Sequence, residues 1–346
     1  MASLKEIAAE LGVSPSTVSR ALRNDPSISE AMRARVAESA ERRGYRPDRG
    51  ISSAMRRVRS GEARIEDSIA VWWPGEWDRR ELRARYPHLE PTLASIGRTA
   101  ESLHLACEWR DGLSADPVRA WRALAYRGVR GMILLPGDPE VYEVPAVFHD
   151  TPRVALGNAV QGAVGCRVTP HFTDAYATIF EELHARGYRR PGVLVRHHAR
   201  EERLYEARYL GVYQQHCERL GRFEWIAPHW CGDLREASTY AAIRDWLGES
   251  RPDALISPYH QIYESLLADG AWPIPRRIGY VTTGAWGANK EITGPWTDPA
   301  RMGSETVLAL LNRMRDPLPG DAPETRILLK TEWREGATLP RRRRGA

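Results

Sequence analysis

The sequence predicts a small all-α helix-turn-helix domain followed by a larger α/β domain with two lobes and parallel sheets. Two short helical segments joined by a glycine turn occupy residues 4–22. From about residue 66 to 340, short apolar strands alternate with amphipathic helices, which is typical of parallel sheets. The length, 346 residues, is enough for two or three domains, and a composition of 42% hydrophobic and 27% charged residues excludes wholesale disorder.

The first three helices have clear start and stop signals. A capping box begins a helix over residues 4–11, and Gly12 can take the left-handed conformation that ends it. Ser14-Pro15 supplies the N-cap and the first position of a second helix, which we expect to run to residue 22. Ser29 caps a third helix that runs to about residue 43.

The excess of basic charge lies in the first sixty residues. They hold twelve Lys and Arg against seven Asp and Glu, an excess equal to the +5 net charge of the whole chain. A basic head favours a polyanion as partner, because each neutralised phosphate releases counterions. The second helix would direct Ser16, Thr17 and Arg20 toward base edges and phosphates of a DNA major groove. A three-helix bundle that does not bind DNA is the alternative for the same pattern.

The segment LKEIAAELGVSPSTVSRAL at residues 4–22, with residues 28–36 and 44–47, resembles the headpiece of the LacI/GalR family of bacterial transcription regulators. The resemblance implies a homodimer that binds a near-palindromic operator in double-stranded DNA and represses a carbohydrate-related operon. The positions that match DNA contacts of the family are Ser14, Pro15, Ser16, Thr17, Ser19, Arg20, Arg23 and Tyr45. The sequence departs from the family at Arg23, where Asn is usual, and at Met32, where Thr is common.

A linker at residues 49–61 follows the headpiece at residues 1–48. Residues 51–59 could form a short basic helix, too short to be stable in water without a partner. By the resemblance, such a helix enters the minor groove, with a wedge position at Ala54 or Met55 and phosphate contacts from Arg56 and Arg57. The alternative is a disordered tether.

The α/β domain, residues 66–340, resembles more loosely the effector-binding part of the same family, which is built like a periplasmic sugar-binding protein. The strands we expect are residues 69–73, 131–136, 153–157, 192–195, 254–257, 278–282 and 326–330. A ligand cleft is expected at the carboxyl ends of the strands. The resemblance places crossings between the lobes near residues 157–163, 284–290 and 316–321. Residues 341–346 are expected to be a basic disordered tail.

The resemblance implies a small-molecule effector, and a sugar is one candidate. Arg208 matches an arginine of the family, whereas His171, Tyr259 and His260 stand where acidic or amide side chains are usual. Aromatic residues at strand ends predict a stacking platform for a sugar ring or a flat effector: Trp72, Trp73, Trp77, Tyr259 and Trp286. The alternative is that these rings fill a cleft that has lost its ligand, which leaves a ligand-independent DNA-binding or architectural protein.

No sequence signature of an enzyme is present: GxGxxG, GxxxxGK[ST], GxSxG and HExxH are all missing. His229 and Cys231 could offer two metal ligands, but no second pair lies close to complete a zinc site. We therefore expect no enzymatic activity, no cofactor and no metal. With no signal peptide and no apolar run of about 20 residues, we expect no membrane association. The expected location is the cytoplasm, with the nucleoid when DNA is bound.

Overall fold

A computed structural model describes two parts of the N-terminal region and most of the remaining chain. The described residues are 4–22, 25–43, 45, 67–74, 78–86, 89–109, 117–136, 142–158, 160–162, 164–196, 203–234, 236–283, 291–316 and 323–342. These residues divide between two compact units, residues 1–169 with 300–327 and residues 170–299 with 328–346.

The N-terminal region contains the three predicted helices, α1 (Leu4–Leu11), α2 (Pro15–Leu22) and α3 (Glu30–Arg42). Gly12 has a φ of +65°, the left-handed conformation that lets the chain turn sharply between α1 and α2. Ile7, Val18 and Val36 are completely buried, one from each helix. The three helices thus share one core, as their apolar spacing predicts.

The α/β part begins at residue 67. Its first elements are β1 (Asp67–Trp72), α4 (Arg79–Arg85), α5 (Glu90–Ser102), β2 (Leu105–Trp109), α6 (Pro117–Tyr126), β3 (Val129–Leu134), β4 (Tyr142–Glu143), β5 (Arg153–Leu156), β6 (Val160–Gln161) and β7 (Cys166–Pro170). The elements that follow are α7 (Phe172–Ala185), β8 (Pro191–Arg196), α8 (Arg203–Gln214), β9 (His229–Cys231), α9 (Ala237–Ser250), β10 (Ala254–Ser257), α10 (His260–Asp269), β11 (Gly279–Thr282), β12 (Gly294–Trp296), α11 (Pro299–Arg315), β13 (Thr325–Leu329) and β14 (Glu332–Arg334).

The first unit is built on a six-stranded sheet in the order β13-β7-β5-β3-β1-β2. The pairs that join β2, β1, β3, β5 and β7 are all parallel. The carboxyl ends of these strands therefore lie at the same edge of the sheet. Alternate residues of β1 face opposite sides, and Ala70 and Trp72 pack in a buried cluster with Met132 and Leu134 of β3.

The second unit has a four-stranded parallel sheet in the order β11-β10-β8-β9. Its core is unusually aromatic where α7 and α8 pack together. Phe180 stacks on Tyr213 with ring centroids 5.1 Å apart, and Tyr176 stacks on Tyr209 at 4.5 Å. Residues 215–219 form one π-helical turn at the end of α8. The predicted α/β architecture with parallel sheets is confirmed.

One expectation about the α/β part needs correction. The first division between the units falls after Thr169, later than the crossing predicted near residues 157–163, whereas the crossings predicted near 284–290 and 316–321 lie almost entirely outside the described residues. The reason is that residues 166–170 form strand β7, a sheet partner of β5, which the sequence pattern did not reveal. Arg342 pairs with Asp253 at 2.8 Å, and its N–H donates to the Arg186 carbonyl. The tail predicted over residues 341–346 stays a prediction, and residues 343–346 lie outside the described residues.

Across the described ranges, no helix has both the length and the apolar character that a membrane crossing requires. The four cysteines are free, and Cys166 and Cys231 are buried. Burial raises the pKa of the Cys107 thiol to about 12, so this thiol stays protonated at neutral pH.

The surroundings of two glycines in the first unit predict that substitution by alanine has opposite effects on stability at the two positions. A Cβ at Gly303 of α11 would lie 2.6 Å from the Thr92 carbonyl oxygen, whereas a Cβ at Gly97 of α5 would meet only Trp109, at 3.8 Å. Gly97→Ala should stabilise by up to about 1 kcal/mol through helix propensity. Gly303→Ala should destabilise by about 1–3 kcal/mol, because overpacking outweighs propensity. Calorimetric unfolding of both variants measures this, and equal effects would contradict the close α5–α11 packing.

Candidate nucleic-acid interface and effector-binding residues

Three hydroxyl groups cluster at the start of α2. The Ser14 Oγ accepts a hydrogen bond from the Thr17 N–H at 3.0 Å, which makes Ser14 the N-cap of the helix. The hydroxyls of Ser16 and Thr17 each lie 2.8 Å from the same Oγ. Hydroxyls and free N–H groups at a helix N-terminus are suitable partners for phosphate oxygens and base edges. The predicted contact residues of this turn are therefore brought together.

The helical period places the exposed and the buried residues of α2 on opposite faces of the helix. Val18 and Leu22 are buried in the headpiece core, whereas Ser16 and Arg20 are exposed. Residues four apart lie on one helix face, so Ser16 and Arg20 form a polar stripe on the outer side. A guanidinium on such a stripe can bind guanine O6 and N7 or a phosphate. Ser19 is half-buried beside this stripe.

Glu10 ties the end of α1 to the end of α3. Its carboxylate accepts hydrogen bonds from the Ser39 hydroxyl at 2.9 Å and from the Arg42 guanidinium at 2.8 Å, and it forms a close ion pair with Arg43. The hydrogen bonds from Arg43 and then Ser39 hold the pKa of Glu10 below its ordinary value of 4.5. The sequence interpretation missed this cluster, although an acid in the last turn of α1 and a basic pair ending α3 were available as a signal.

Tyr45 lies against the α/β part of the first unit. Its ring stacks on Tyr126 of α6, with centroids 6.3 Å apart and planes inclined by 11°. The role of Tyr45 near the DNA backbone stays a prediction. Five other predicted contact residues lie outside the described residues: Arg23, Ala54, Met55, Arg56 and Arg57. Their roles also stay predictions.

Trp72 and Trp73 are core side chains of the first unit. The ring of Trp72 makes edge contacts with Tyr142 at 5.5 Å and with Phe148 at 5.2 Å, and Trp73 is completely buried. Both faces of β1 are covered, so neither ring presents an open face as a stacking platform. Trp77 and Trp286 lie outside the described residues.

Two predicted effector residues make structural hydrogen bonds within the second unit. His171 is the N-cap of α7, where its Nδ1 accepts a hydrogen bond from the Asp174 N–H at 3.0 Å. The Tyr259 carbonyl accepts a 2.6 Å hydrogen bond from the buried Tyr280 hydroxyl. Arg208 lies in α8 and His260 begins α10, and their side chains are outside the described part of the chain.

Unpartnered polar atoms lie at or just beyond the carboxyl ends of three strands of the first unit. They are Nε1 of Trp72 on β1, Oδ1 of Asn158 beyond β5 and Oγ1 of Thr169 on β7. Each atom is buried and has no hydrogen-bond partner among the described residues. Because β5 and β7 are neighbours and the Gly157 N–H donates to Val168 O, the Asn158 and Thr169 backbones lie close together. Buried polar atoms generally have partners, so water or a ligand is expected here.

The comparisons with known proteins agree on the N-terminal region. Residues 3–48 match the family model for bacterial regulatory proteins of the lacI family. The HTH-type transcriptional regulator RafR of Escherichia coli is 42% identical over 72 residues, which are 21% of this chain and 19% of RafR. AglR of Rhizobium meliloti (strain 1021), also an HTH-type transcriptional regulator, is 44% identical over 61 residues, 18% of this chain and 16% of AglR. The match thus spans less than a fifth of each of these relatives.

The solved structures extend the likeness to the whole fold. The structure of the transcriptional regulator CelR in complex with cellobiose covers 98% of this chain and all of its own chain, with a TM-score of 0.57 and 19% sequence identity. This level of identity shows the fold: N-terminal helices followed by an α/β part with parallel sheets.

The Glu10 cluster predicts an acid-sensitive headpiece. Because the pKa of Glu10 is lowered in the folded state, its contribution to stability is present above its ordinary pKa of 4.5 and is lost as the pH falls through the folded-state value. Glu10→Gln should therefore lower the protection of α3 amides at pH 7 and flatten its decline toward acid pH. Hydrogen exchange corrected for intrinsic rates measures both effects.

Glu38→Gln is the matched control, since Glu38 is an exposed residue of the same helix α3. Equal pH profiles for Glu10→Gln and the wild-type protein would show that the cluster does not hold α1 against α3.

Proposed function

We propose that this chain is a sequence-specific DNA-binding transcription regulator. The proposal starts from residues 3–48, which match the family model for bacterial regulatory proteins of the lacI family. The observation that carries the proposal is the geometry of α2. Its inner face is buried, and its first turn gathers three hydroxyls beside an exposed arginine one turn further on. A helix anchored in this way can enter the major groove with its N-terminal side chains toward the bases.

The regulator acts as a homodimer on a near-palindromic operator. One headpiece presents one recognition helix, which can contact only a few base pairs. Two headpieces related by two-fold symmetry contact two half-sites, so the protein symmetry is matched by that of the DNA. We assign repression to the DNA-bound state. We place the protein in the cytoplasm, where it has access to DNA.

A small-molecule effector controls this regulator through the α/β part. CelR, which shares the fold, was solved with cellobiose, and a carbohydrate is the effector class we propose for this chain. Support comes from the polar edge of the first unit, where Trp72, Asn158 and Thr169 each have a buried polar atom without a partner among the described residues. Sugar hydroxyls donate and accept hydrogen bonds, so they would satisfy such atoms.

Arg20→Ala should remove sequence-specific binding and leave the fold intact, because Arg20 is exposed and its loss creates no cavity. A bidentate contact to a base is worth about 1–3 kcal/mol per half-site. The measurement is affinity for a duplex selected from a random pool, against a scrambled duplex at physiological salt.

Arg35→Ala is the matched control for Arg20→Ala, since Arg35 is an exposed arginine of α3. It should lower the affinity for both duplexes slightly and equally, as loss of one basic charge does. If the pool yields no enriched near-palindrome, or if Arg20→Ala retains full discrimination, the assignment of α2 as the recognition helix is wrong.

A carbohydrate effector should raise the melting temperature of the native protein, since a ligand that binds only the folded state stabilises it. The probes are cellobiose and a panel of other mono- and disaccharides. Asn158→Ala should lessen the shift, whereas Asn312→Ala, a change at an exposed position of α11, should leave it unchanged. No shift with any sugar would favour the ligand-independent alternative.

A further inference from the structure

We propose that the headpiece docks on helix α6 of the first unit when DNA is absent, and that this contact competes with DNA for the headpiece. The inference rests on the proposed function and adds a regulatory device to it. Three residues of α6 contact the headpiece: Arg119, Arg122 and Tyr126. Their spacing of three and four residues places them along one stripe of the helix.

The polar part of the contact joins opposite charges. The Arg122 guanidinium donates to both carboxylate oxygens of Glu41, at 2.8 and 3.3 Å. The Arg119 guanidinium donates to Glu30 at 3.3 Å. Glu30 and Glu41 are separated by eleven residues, about three turns, so they lie on the same side of α3. An acidic side of α3 therefore faces a basic side of α6.

The apolar part of the contact is made by Tyr126. Its ring packs against the buried cluster of the headpiece core, and it stacks on Tyr45. Burial raises the pKa of the Tyr126 hydroxyl, as expected for a side chain covered by another domain. A stacked aromatic pair with an adjoining apolar patch gives the contact a specific position that surface charges alone would not provide.

Docking and the predicted DNA contacts both use Tyr45 of the headpiece. Helix α2 packs beside α6 in the docked arrangement, and Tyr45 is one of the residues that the family resemblance places near the DNA backbone. Ser16 and Arg20 of α2 stay exposed in the docked arrangement, so the competition rests on Tyr45. While its ring is stacked on Tyr126, Tyr45 cannot turn to the DNA backbone. The headpiece must leave α6 before it binds the operator.

The interactions that hold the docked state are of a kind that can be released. Both ion pairs are partly exposed, with Arg119 and Arg122 side chains 42% and 39% accessible, so water and salt weaken them. The apparent affinity for DNA is reduced by the fraction of undocked molecules. Removal of the contact should therefore tighten DNA binding by about three- to tenfold, the gain expected if roughly 70–90% of the molecules are docked.

The test uses the full chain with Arg119→Gln and Arg122→Gln combined, and a duplex selected from a random pool. Loss of two positive charges by itself weakens attraction to DNA. Tighter binding by the double variant can therefore arise only from release of the headpiece. Arg130→Gln is the matched control, because Arg130 is an arginine of similar exposure (43%) in the same unit and pairs with Asp67 instead of the headpiece. It should not tighten binding.

Hydrogen exchange of α6 provides the second readout and does not depend on affinity. In the wild-type protein, adding the duplex should speed exchange in α6, because the headpiece leaves it. In the DNA-free double variant, exchange in α6 should already be fast. Unchanged affinity of the double variant, or slower exchange of α6 on DNA binding, would overturn the proposal.

Two further outcomes separate the possible failures. If no duplex is enriched from the pool, the proposed function fails, but the comparison of α6 exchange between the DNA-free wild-type protein and the double variant still tests docking. If protection of α6 rises with protein concentration, the contact is made between subunits, which would overturn the intramolecular form of the proposal.

Discussion

A helix can read DNA only if its other side is fixed, and the burial of Val18 against α1 and α3 is the interaction on which the headpiece depends. Val18 is completely buried, as are Ile7 and Val36. Because the buried positions of α2 recur at helical spacing, its remaining positions are forced outward. Gly12 makes this possible, since its left-handed backbone lets α2 follow α1 after a turn of only three residues. The chemistry of the exposed stripe is thus a consequence of packing on the opposite side.

In the α/β part, the corresponding constraint is parallel pairing. Parallel strands collect their carboxyl ends at one edge, so polar atoms far apart in sequence become neighbours there. Asn158 and Thr169 of the first unit illustrate this, because the pairing of β5 with β7 brings their backbones together. Their buried, unpartnered oxygens would be costly in an apolar core. At a sheet edge they become binding groups once a ligand or water completes them.

The headpiece could be predicted from the sequence almost residue by residue, since its signals are local. Caps, a turn glycine and apolar spacing lie within a few residues of the helices that they define. Strand β7 shows why the α/β part was harder. It contains the buried Arg167, which donates to the Gly157 and Val160 carbonyls and pairs with Glu324, 157 positions away, at 3.0 Å. A polar residue within a short strand hides the apolar pattern, and its distant partner cannot be deduced from spacing.

The candidate effector residues show the same limit. The run of tryptophans at the end of β1 is compatible with a stacking platform and with a core, and only the neighbouring elements decide. Phe148 and Tyr142 cover Trp72, so the ring is part of the core and only its Nε1 is left for a ligand. His171 was assigned to the effector site because it stands where an acidic side chain is common in the family that the sequence resembles. That position is also where a helix begins, and its Nδ1 serves there as a cap.

Three acidic residues of the headpiece make contacts that DNA binding alone does not explain. Glu10 is held by Arg42 and Arg43 and stabilises the three-helix core. Glu30 and Glu41 lie on the side of α3 that faces Arg119 and Arg122, where they oppose attraction to a polyanion but favour contact with α6. A headpiece that only bound DNA would gain affinity by losing these two acids. Their pairing with α6 is understandable if the resting position of the headpiece also matters, because a regulator must be able to leave its operator.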